Sequence, residues 1–504
     1  MPAAINDHQN HLCFTFAVRT ATEIETASFS VIDLQGCEAI GRPFSFTLTL
    51  AVTRDRKIDP AQMLSATATL TIRMPAGAGV VNANKPIPYH GVLAEFDELE
   101  KIGDLAFYRA VLTPRFARAS LNRISDVYLK QQSIAATLAD VLADTVFPDR
   151  KNGFQFALKS QYEARDSICQ YQESTFDFIS RWMEKEGMYY YFEHSDATPG
   201  NDVGVDKMII VDDAIKLPDS RMRLHYRPAG RHSSDPLDQA VQTFICRRTP
   251  LPKQVILQDF NYRAAAAPLR VLHEIAGGGI YNGDVMLYGE DFRTQEQGLR
   301  YARLRAEEIA CGGVRYCGSS TAVGLRSGHF MDLIESPLPP DASGKFLITE
   351  IEHRGSQAGL LLSGIKHPFE QDGGEIFYRN NFTAIPGGMQ FRAARTTPRP
   401  TIAGTMSAVI DADGKSNYAN LDEQGQYHVQ MPFIRQDQDQ PGPKPANQGS
   451  ARIRMATPYA GSNHGMDFPL HQGAEVLLSF INGDPDQPVI MNAVPNSANP
   501  STVN

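Results

Sequence analysis

The chain has 504 residues, of which 42% are hydrophobic and 21% charged, a composition that excludes a disordered chain and allows about three folded domains. Asp and Glu together number 57 and Lys and Arg together 48, so the formal net charge is -9. No segment concentrates basic residues as a surface that follows a phosphate backbone does. We therefore expect no nucleic acid among the partners.

The amino terminus and the cysteines both indicate synthesis in the cytosol. The opening MPAAINDHQN lacks the cationic start and apolar core of a signal peptide, and nowhere do about 18 apolar residues follow one another. We expect no stable membrane anchor, and any export has to use another route. The six cysteines are dispersed, so free thiols are favoured, and a disulfide between Cys311 and Cys317 is the weaker alternative.

Short runs of β-type alternation, separated by Gly, Pro and Asn, predict a mainly β protein. The predicted strands cover residues 29–34, 44–52, 66–74, 92–96, 107–113, 189–192, 207–211, 346–352 and 359–365.

Three segments have helical spacing instead. The first begins at Ser133, the second at Ser174 with Asp177 in the capping position, and the third at Thr294 with Gln297 in the same arrangement. Glycines end the second and third helices. The residues expected to be buried are Ile134, Leu138, Val141, Leu142, Phe176, Ile179, Met183, Leu299, Ala302, Ala306 and Ile309. We interpret the three helices as braces on β barrels, and Trp182 as a packing residue.

A linker precedes the last module of the chain. Pro398 and Pro400 in residues 392–404 remove backbone donors and favour an extended connector. The module of about 100 residues that follows contains alternating segments at 426–433, 474–481 and 489–494. A five-stranded barrel of the oligonucleotide/oligosaccharide-binding (OB) type fits this size, although periodicity alone does not separate it from other small barrels.

Two strands of this module are apolar on both faces, although a small barrel has only one interior. We expect another domain or another chain to cover the second apolar face. The candidate interface residues are Leu477, Ile481, Ile490 and Val494.

Catalytic and metal-binding signatures are missing from the sequence, which contains neither a GxSxG elbow nor an HExxH motif. The acidic run Glu95, Asp97, Glu98 and Glu100 fits a solvated strand face better than a glycosidase carboxylate pair. His464 and His471 have no recognised metal-ligand spacing. We therefore expect no enzyme activity, no cofactor and no metal.

Several long motifs nevertheless resemble one family. The motifs, in chain order, are FSVIDLQGCEAIGRPFSFTLTLAV at residues 29–52, YHGVLAEFDEL at 89–99, QYEARDSICQYQESTFDFISRWMEKEGMYYYFEH at 161–194, FLITEIEHRG at 346–355 and NGDPDQPVIMNAVPN at 482–496. They resemble the VgrG spike proteins of type VI secretion systems, over nearly the whole chain.

The resemblance implies a fold and a set of partners. The fold is mainly β with a few bracing helices: a first hub barrel at residues 1–195, a second at 196–395, a linker at 396–404, an OB barrel at 405–495 and a connector at 496–504. The hub motif core is Phe176, Ile179, Trp182 and Met183. The implied molecule is a homotrimer that caps the hexameric Hcp tube and contacts baseplate proteins, and sheath contraction injects it with effector proteins and a PAAR tip.

The sequence departs from the family pattern at its end. VgrG proteins continue into a long β-helical stalk, whereas this sequence stops at NPSTVN, which puts direct attachment of a tip protein in doubt. Two alternatives stay open. One is a baseplate hub of a phage or another contractile device. The other, which is weaker, is a hub enzyme that degrades peptidoglycan, for which the last module is too short.

Overall fold

The fold is described from a computed structural model. The structure describes residues 12–19, 27–56, 58–74, 86–129, 131–195, 204–219, 221–228, 239–279, 282–336, 338, 344–362, 376–412, 414, 417–434, 449–462 and 464–502.

The strands are β1 Cys13–Arg19, β2 Ala27–Ala39, β3 Arg42–Thr53, β4 Thr67–Arg73, β5 Ile87–Ile102, β6 Leu105–Thr113, β7 Arg123–Tyr128, β8 Phe154–Phe156, β9 Ile168–Ser174, β10 Tyr189–Ser195, β11 Val205–Val211, β12 Arg221–Tyr226, β13 Ala240–Arg248, β14 Gln254–Asp259, β15 Leu269–Glu274, β16 Asp284–Tyr288, β17 Val314–Ser320, β18 Phe330–Ile334, β19 Lys345–Ser356, β20 Phe377–Pro386, β21 Thr405–Asp411, β22 Gln426–Gln430, β23 Ile453–Arg454, β24 Ala460–Gly461, β25 His464–Gly465, β26 Glu475–Phe480 and β27 Pro488–Val494.

The α-helices are α1 Pro60–Ser65, α2 Ile134–Thr145, α3 Arg150–Gly153, α4 Thr175–Glu186, α5 Gln295–Ala310 and α6 Ala358–Leu361. Short 3-10 helices cover Arg115–Leu121, Ala214–Lys216, Tyr262–Ala264 and Ile481–Gly483.

The chain divides into two compact units. The first contains residues 1–118, 146–160 and 183–395, and the second contains residues 119–145, 161–182 and 396–504. The division follows spatial contacts, so segments distant in sequence share a unit. The domain boundaries at 195, 395, 404 and 495 follow sequence motifs instead, and they stay a prediction.

The first unit is built on two rings of six strands. β1, β4, β5, β6, β3 and β2 pair in that order, and pairing between β1 and β2 closes the ring. β19, β18, β12, β13, β17 and β20 pair likewise, and pairing between β19 and β20 closes the second ring. Antiparallel pairing of β2 with β19, from Asp33 opposite Ser356 to Ala39 opposite Glu350, joins the rings. Each ring encloses its own apolar core.

A small sheet is inserted between two strands of the second ring. β14 lies between β15 and β16, and one face of this sheet packs against α5 through Val255, Leu257, Val271, Ala302 and Leu304, which are buried. The capping arrangement expected for this helix is present, since the Thr294 hydroxyl accepts a hydrogen bond from the Gln297 amide at 3.2 Å.

The second unit contains an OB barrel. Its strands pair in the order β23, β22, β21, β26, β27, and a parallel bridge from Met455 to Ile490 links the two ends of that order. The barrel core contains Ile410, Val429, Val476, Leu478 and Ile490, which are buried. The antiparallel pair β7 and β9 belongs to the same unit and contributes Val127 and Cys169 to this core.

Most of the elements expected from the sequence are confirmed, with three local exceptions. Residues 359–361 of the expected strand 359–365 lie in α6, where the Leu362 amide donates to Ala358 O, and residues 363–365 lie outside the described residues. Leu299 is 48% exposed, and Tyr301 and Leu304 are buried instead, so the buried stripe of α5 is rotated from its predicted position. Phe176 is only half-buried, whereas Phe178 is buried.

Gly187 ends α4 in a Schellman motif. Its φ is 76°, the Gly187 amide donates to Glu184 O at 3.4 Å, and the Met188 amide donates to Met183 O at 2.8 Å. A Cβ at Gly187 would lie 2.5 Å from Leu304 Cδ2, whereas nothing lies within 4 Å of a Cβ at Gly103, whose φ is 59°. The two glycines therefore share a left-handed backbone and differ in steric room.

Alanine substitutions at these two glycines separate backbone strain from steric overlap. We expect Gly103→Ala to lower the free energy of unfolding by about 1 kcal/mol, which is the cost of a left-handed alanine. Gly187→Ala is expected to cost at least about 1 kcal/mol more, because Leu304 is buried and must shift. Urea denaturation of both variants checks this, and equal losses would show that Leu304 moves aside freely.

Candidate functional site

The residues singled out for chemistry do not assemble into an active centre. Glu95, Glu98 and Glu100 are exposed on β5, and Asp97 accepts a hydrogen bond from Arg109 Nε at 2.7 Å. His464 is exposed with its Nδ1 2.8 Å from Ser462 O. Among the described residues, no three His, Cys, Asp or Glu side chains are grouped to hold a metal ion.

Two further findings concern the thiols and the membrane. Cys311 and Cys317 are not joined by a disulfide, and the Cys311 Sγ lies 3.4 Å from Gln390 O. Burial raises the pKa of the Cys311 thiol to about 11, so this thiol is protonated at neutral pH.

None of the helices in the described ranges is long and apolar enough to cross a membrane.

A buried carboxylate lies where the two rings of the first unit meet, and we call this group of side chains the Glu38 joint. Glu38 is 9% exposed, and its Oε1 accepts hydrogen bonds from Tyr89 OH at 3.2 Å and from His353 Nε2 at 3.0 Å. Its Oε2 accepts from Ser327 Oγ at 3.3 Å. Tyr89 belongs to the first ring and His353 to the second, so this carboxylate links both rings.

The hydrogen bonds continue from His353 into the second ring. The Nδ1 of His353 lies 2.7 Å from Tyr378 OH, and Asn380 Nδ2 donates to the same hydroxyl at 3.4 Å and to Ala322 O at 2.7 Å. The guanidinium of Arg326 lies 4.7 Å from the centre of the Tyr89 ring and donates to Pro88 O at 2.6 Å. A connected network of this kind satisfies polar groups that would be costly to bury alone.

The electrostatics of the joint favour an ionised Glu38. Burial acts to raise the pKa of the Glu38 carboxyl, but the hydrogen bond and electrostatic attraction of His353, together with the charge of Arg326, hold it below its usual value. Burial lowers the pKa of His329, whose Nδ1 lies 3.1 Å from Ser327 O. His329 is therefore neutral at neutral pH beside an ionised carboxylate.

The second unit has its own buried ion pair, which we call the Arg181 clamp. Arg181 on α4 donates from Nε and Nη2 to both carboxylate oxygens of Glu173, at 2.7 to 3.1 Å, and both side chains are buried. The same Nη2 donates to Cys169 O at 2.9 Å, and the Cys169 amide donates to Asp486 Oδ1 at 2.6 Å. The clamp thus connects β9 and α4 with the turn before β27.

That turn also holds the linker. Asp484 is buried, forms an ion pair with Arg399, and accepts from Gln487 Nε2 at 3.1 Å. The Ile402 amide donates to Gly483 O at 2.8 Å. The motif at residues 482–488 is therefore a junction that holds both the linker and β9, and no local sequence pattern indicates these long-range partners.

The outer face of the OB barrel contains three of the four candidate interface residues. Leu477 is half-buried, Ile481 is 36% exposed, and Val494 is half-buried. Leu477 lies between Ser407 of β21 and Asn492 of β27. This face mixes polar and apolar side chains.

Ile490 does not fit the expectation for an interface. It is fully buried in the barrel core, because a β-bulge pairs Leu478 with Ile490 but Leu477 with Asn492. The bulge leaves Met491 without a paired residue, and Met491 is 39% exposed. The outward apolar residue at this point of β27 is therefore Met491.

The structure also shows where the hub motif core and the predicted connector lie. Ile179, Trp182 and Met183 are buried, and Phe176 is half-buried. The first residues of the predicted connector lie on the barrel, since Asn496 Nδ2 donates to Glu475 Oε2 at 2.8 Å and Asn499 Nδ2 donates to Gly473 O at 3.0 Å.

The fold defines a mainly β protein with two joined strand rings and an OB barrel. Residues 37–359 match the family model described as phage tail baseplate hub (GPD), and residues 439–494 match the type VI secretion system/phage-baseplate injector OB domain. Because the first match spans more than half of the chain, the chain belongs to the phage tail baseplate hub family.

Among proteins of known name, the chain is similar to VgrG spikes. It is 27% identical over 493 residues to type VI secretion system spike protein VgrG1b of Pseudomonas aeruginosa, covering 96% of this chain and 61% of that protein. It is 25% identical over 492 residues to the actin cross-linking toxin VgrG1 of Vibrio cholerae, covering 96% of this chain and 41% of the toxin. The chain thus spans less than two thirds of both relatives.

Solved structures share the fold. The E. coli c3393 protein, described as a type VI secretion component that resembles the T4 tail proteins gp27 and gp5, matches with a TM-score of 0.63 at 21% identity, covering 95% of this chain and 99% of that one. A chain of the lidless PdpA-VgrG complex matches with a TM-score of 0.62 at 10% identity, covering 99% of this chain and 90% of that one. These matches confirm the mainly β fold with an OB barrel.

The Glu38 joint predicts acid sensitivity. The pKa of His329 is lowered from 6.5 in the fold, so below about pH 6.5 the unfolded chain binds more protons and stability falls as pH falls. The lowered pKa of Glu38 causes a further loss of stability as the pH falls below about 4.5. We expect urea denaturation to give a decreasing free energy of unfolding from pH 7 to pH 5. His329→Gln is expected to reduce this slope without abolishing it, because burial also lowers the pKa of His194. An unchanged slope in the variant would contradict the assignment to His329.

The Arg181 clamp predicts a large effect of a single substitution. Arg181→Met leaves the buried Glu173 carboxylate without its guanidinium, and we expect a loss of about 3–5 kcal/mol in the free energy of unfolding. Arg181→Lys is the matched control, since it keeps the charge and loses the two-pronged geometry, so a smaller loss is expected. Denaturation followed by tryptophan fluorescence measures both, because Trp182 is adjacent to Arg181 and is the one tryptophan of the chain. A loss below about 1 kcal/mol in Arg181→Met would show that the pair contributes no more than a surface pair.

Proposed function

We propose that the protein is a structural, non-enzymatic, homotrimeric spike and hub of a contractile injection system of the type VI secretion kind. The observation that carries the proposal is the order of modules in one chain: two joined six-stranded rings followed by an OB barrel, in a member of the baseplate hub family.

The two rings suggest how a trimer would meet a tube of sixfold symmetry. Three chains with two similar rings each offer six rings, which suits a hexameric Hcp tube. We further propose that the assembled spike contacts baseplate proteins, is pushed out of the cell by sheath contraction, and carries effector proteins and a PAAR tip. The modules proposed for these roles are residues 1–195, 196–395, 405–495 and the connector 496–504.

The absence of enzyme activity is also a proposal. The described residues hold no grouped metal ligands, and the acidic run of β5 is spread along an exposed strand face. The relative named as an actin cross-linking toxin is longer than this chain, and its toxin activity belongs to that protein.

A second candidate function is a hub of a phage tail or another contractile device. The family description names phage baseplates, and the OB model is described for both type VI secretion and phage injectors. The neighbouring genes decide between these candidates: genes for Hcp and a membrane complex support the secretion spike, and genes for capsid and tail fibres support the phage hub.

The trimer is the testable core of the proposal. Light scattering on the purified chain is expected to give about 167 kDa, three times 55.6 kDa. Leu477→Asp is expected to lower the trimer fraction, because closing an interface over an unpaired charge is strongly unfavourable.

The control is an exposed apolar residue of the other compact unit. Ile215 is 73% exposed, and Ile215→Asp adds the same charge at a residue that is not part of the OB barrel, so it is expected to leave the mass unchanged. A monomer near 56 kDa for the unsubstituted chain at micromolar concentration would contradict the proposal. Equal effects of the two variants would remove Leu477 from the interface.

A further inference from the structure

One sheet face of the first unit carries a row of large apolar side chains, most of them exposed. The face of β14, β15 and β16 opposite α5 has a central row of Leu272, Ile256 and Met286, which lie side by side in the strand register. Leu272 is 53% and Met286 57% exposed, and they flank Ile256, which is 5% exposed. Tyr288, which is 65% exposed, extends the row along β16. Large side chains grouped in this way mark interaction surfaces more often than isolated ones do.

The sheet does not need this exposed face for its own packing. The opposite face is already covered by α5, with Val255, Leu257 and Val271 in a closed core. The apolar residues of the exposed face are therefore not remnants of that core. Their burial would require a further partner.

Charges at one end of the apolar row indicate what that partner is. Glu274 and Asp284 flank the row in register with Gln254 of the central strand, and both are exposed. The next row on the other side holds Arg270 and Tyr288. The face therefore carries two carboxylates at one end against a single guanidinium, and it complements an apolar surface that has basic residues at one end.

We propose that this face binds an amphipathic helix of a partner protein, with its apolar side on Leu272, Ile256 and Met286 and a Lys or Arg beside Glu274 and Asp284. Successive rows of the sheet are about 7 Å apart, two residues along a strand, and one helical turn advances about 5.4 Å. A basic residue one turn from the apolar positions can therefore reach the acidic row. A second copy of the same face fits less well, because two such faces bring four carboxylates together with two guanidinium groups.

Designed peptides test the proposal on the full-length chain. One labelled peptide of about 18 residues has Leu at positions i, i+3, i+4 and i+7 and Lys in one terminal turn, and a matched peptide has Glu in place of Lys. We expect fluorescence anisotropy to show that the Lys peptide binds at least about tenfold more tightly than the Glu peptide, which corresponds to about 1.4 kcal/mol. Equal affinities, or no saturable binding of the Lys peptide below about 1 mM, would overturn the proposal.

Variants assign the binding to this face. Glu274→Lys combined with Asp284→Lys is expected to reverse the preference, so that the Glu peptide binds more tightly. Leu272→Asp combined with Met286→Asp is expected to weaken the Lys peptide at least about tenfold. Leu121→Asp is the control, because Leu121 is 84% exposed and lies outside this sheet, so unchanged binding is expected.

Two results would refute the assignment. One is unchanged peptide binding in the Leu272→Asp and Met286→Asp variant, which would place the peptide elsewhere on the chain. The other is a loss of self-association in that variant, measured by light scattering, which would make a second copy the occupant of the face.

Discussion

The first compact unit depends on the carboxylate of Glu38, which lies between two rings of strands with separate apolar cores. Pairing of β2 with β19 fixes the register of the rings along one seam. The side chains of Tyr89, His353 and Ser327 then meet Glu38 from both rings. Because an ionised carboxylate is tolerated in such a place only when its oxygens are hydrogen-bonded, any arrangement of the rings that separates these partners is penalised. We infer that the joint selects one arrangement of the two rings.

Alternation and capping predicted the elements of the fold, but not the contacts that join them. The strands and the caps at Ser174 and Thr294 are local features, in which each residue is placed by its immediate neighbours. Glu38 was not predicted to be buried, although alternation along β2 places it on the same inward face as Leu34. The partner His353 is 315 residues away, and no periodicity connects residues at such a separation.

The OB barrel shows how one extra residue changes which side chains reach the surface. Strict alternation along 489–494 places Ile490 and Val494 on one face, and the β-bulge opposite Leu477 and Leu478 breaks that alternation. Ile490 turns into the core and Met491 turns outward. Bulges follow from strand pairing rather than from strand sequence. The candidate interface therefore stays a prediction for Leu477, Ile481 and Val494, whereas Ile490 lies in the core.

The Glu38 joint and the Arg181 clamp use the same physical means in separate units. Each buries a charged group that has partners from elements distant in sequence, and such groups contribute little net stability compared with apolar packing. They act by destabilising alternative arrangements of the chain. If Asp486 shifts, the Cys169 amide loses its acceptor, and if Glu173 shifts, a buried guanidinium loses its carboxylate. A purely apolar contact permits sliding at small cost, whereas these contacts do not. In a protein proposed to be driven forward by a contracting sheath, polar junctions of this kind would keep each unit's elements in one arrangement under load.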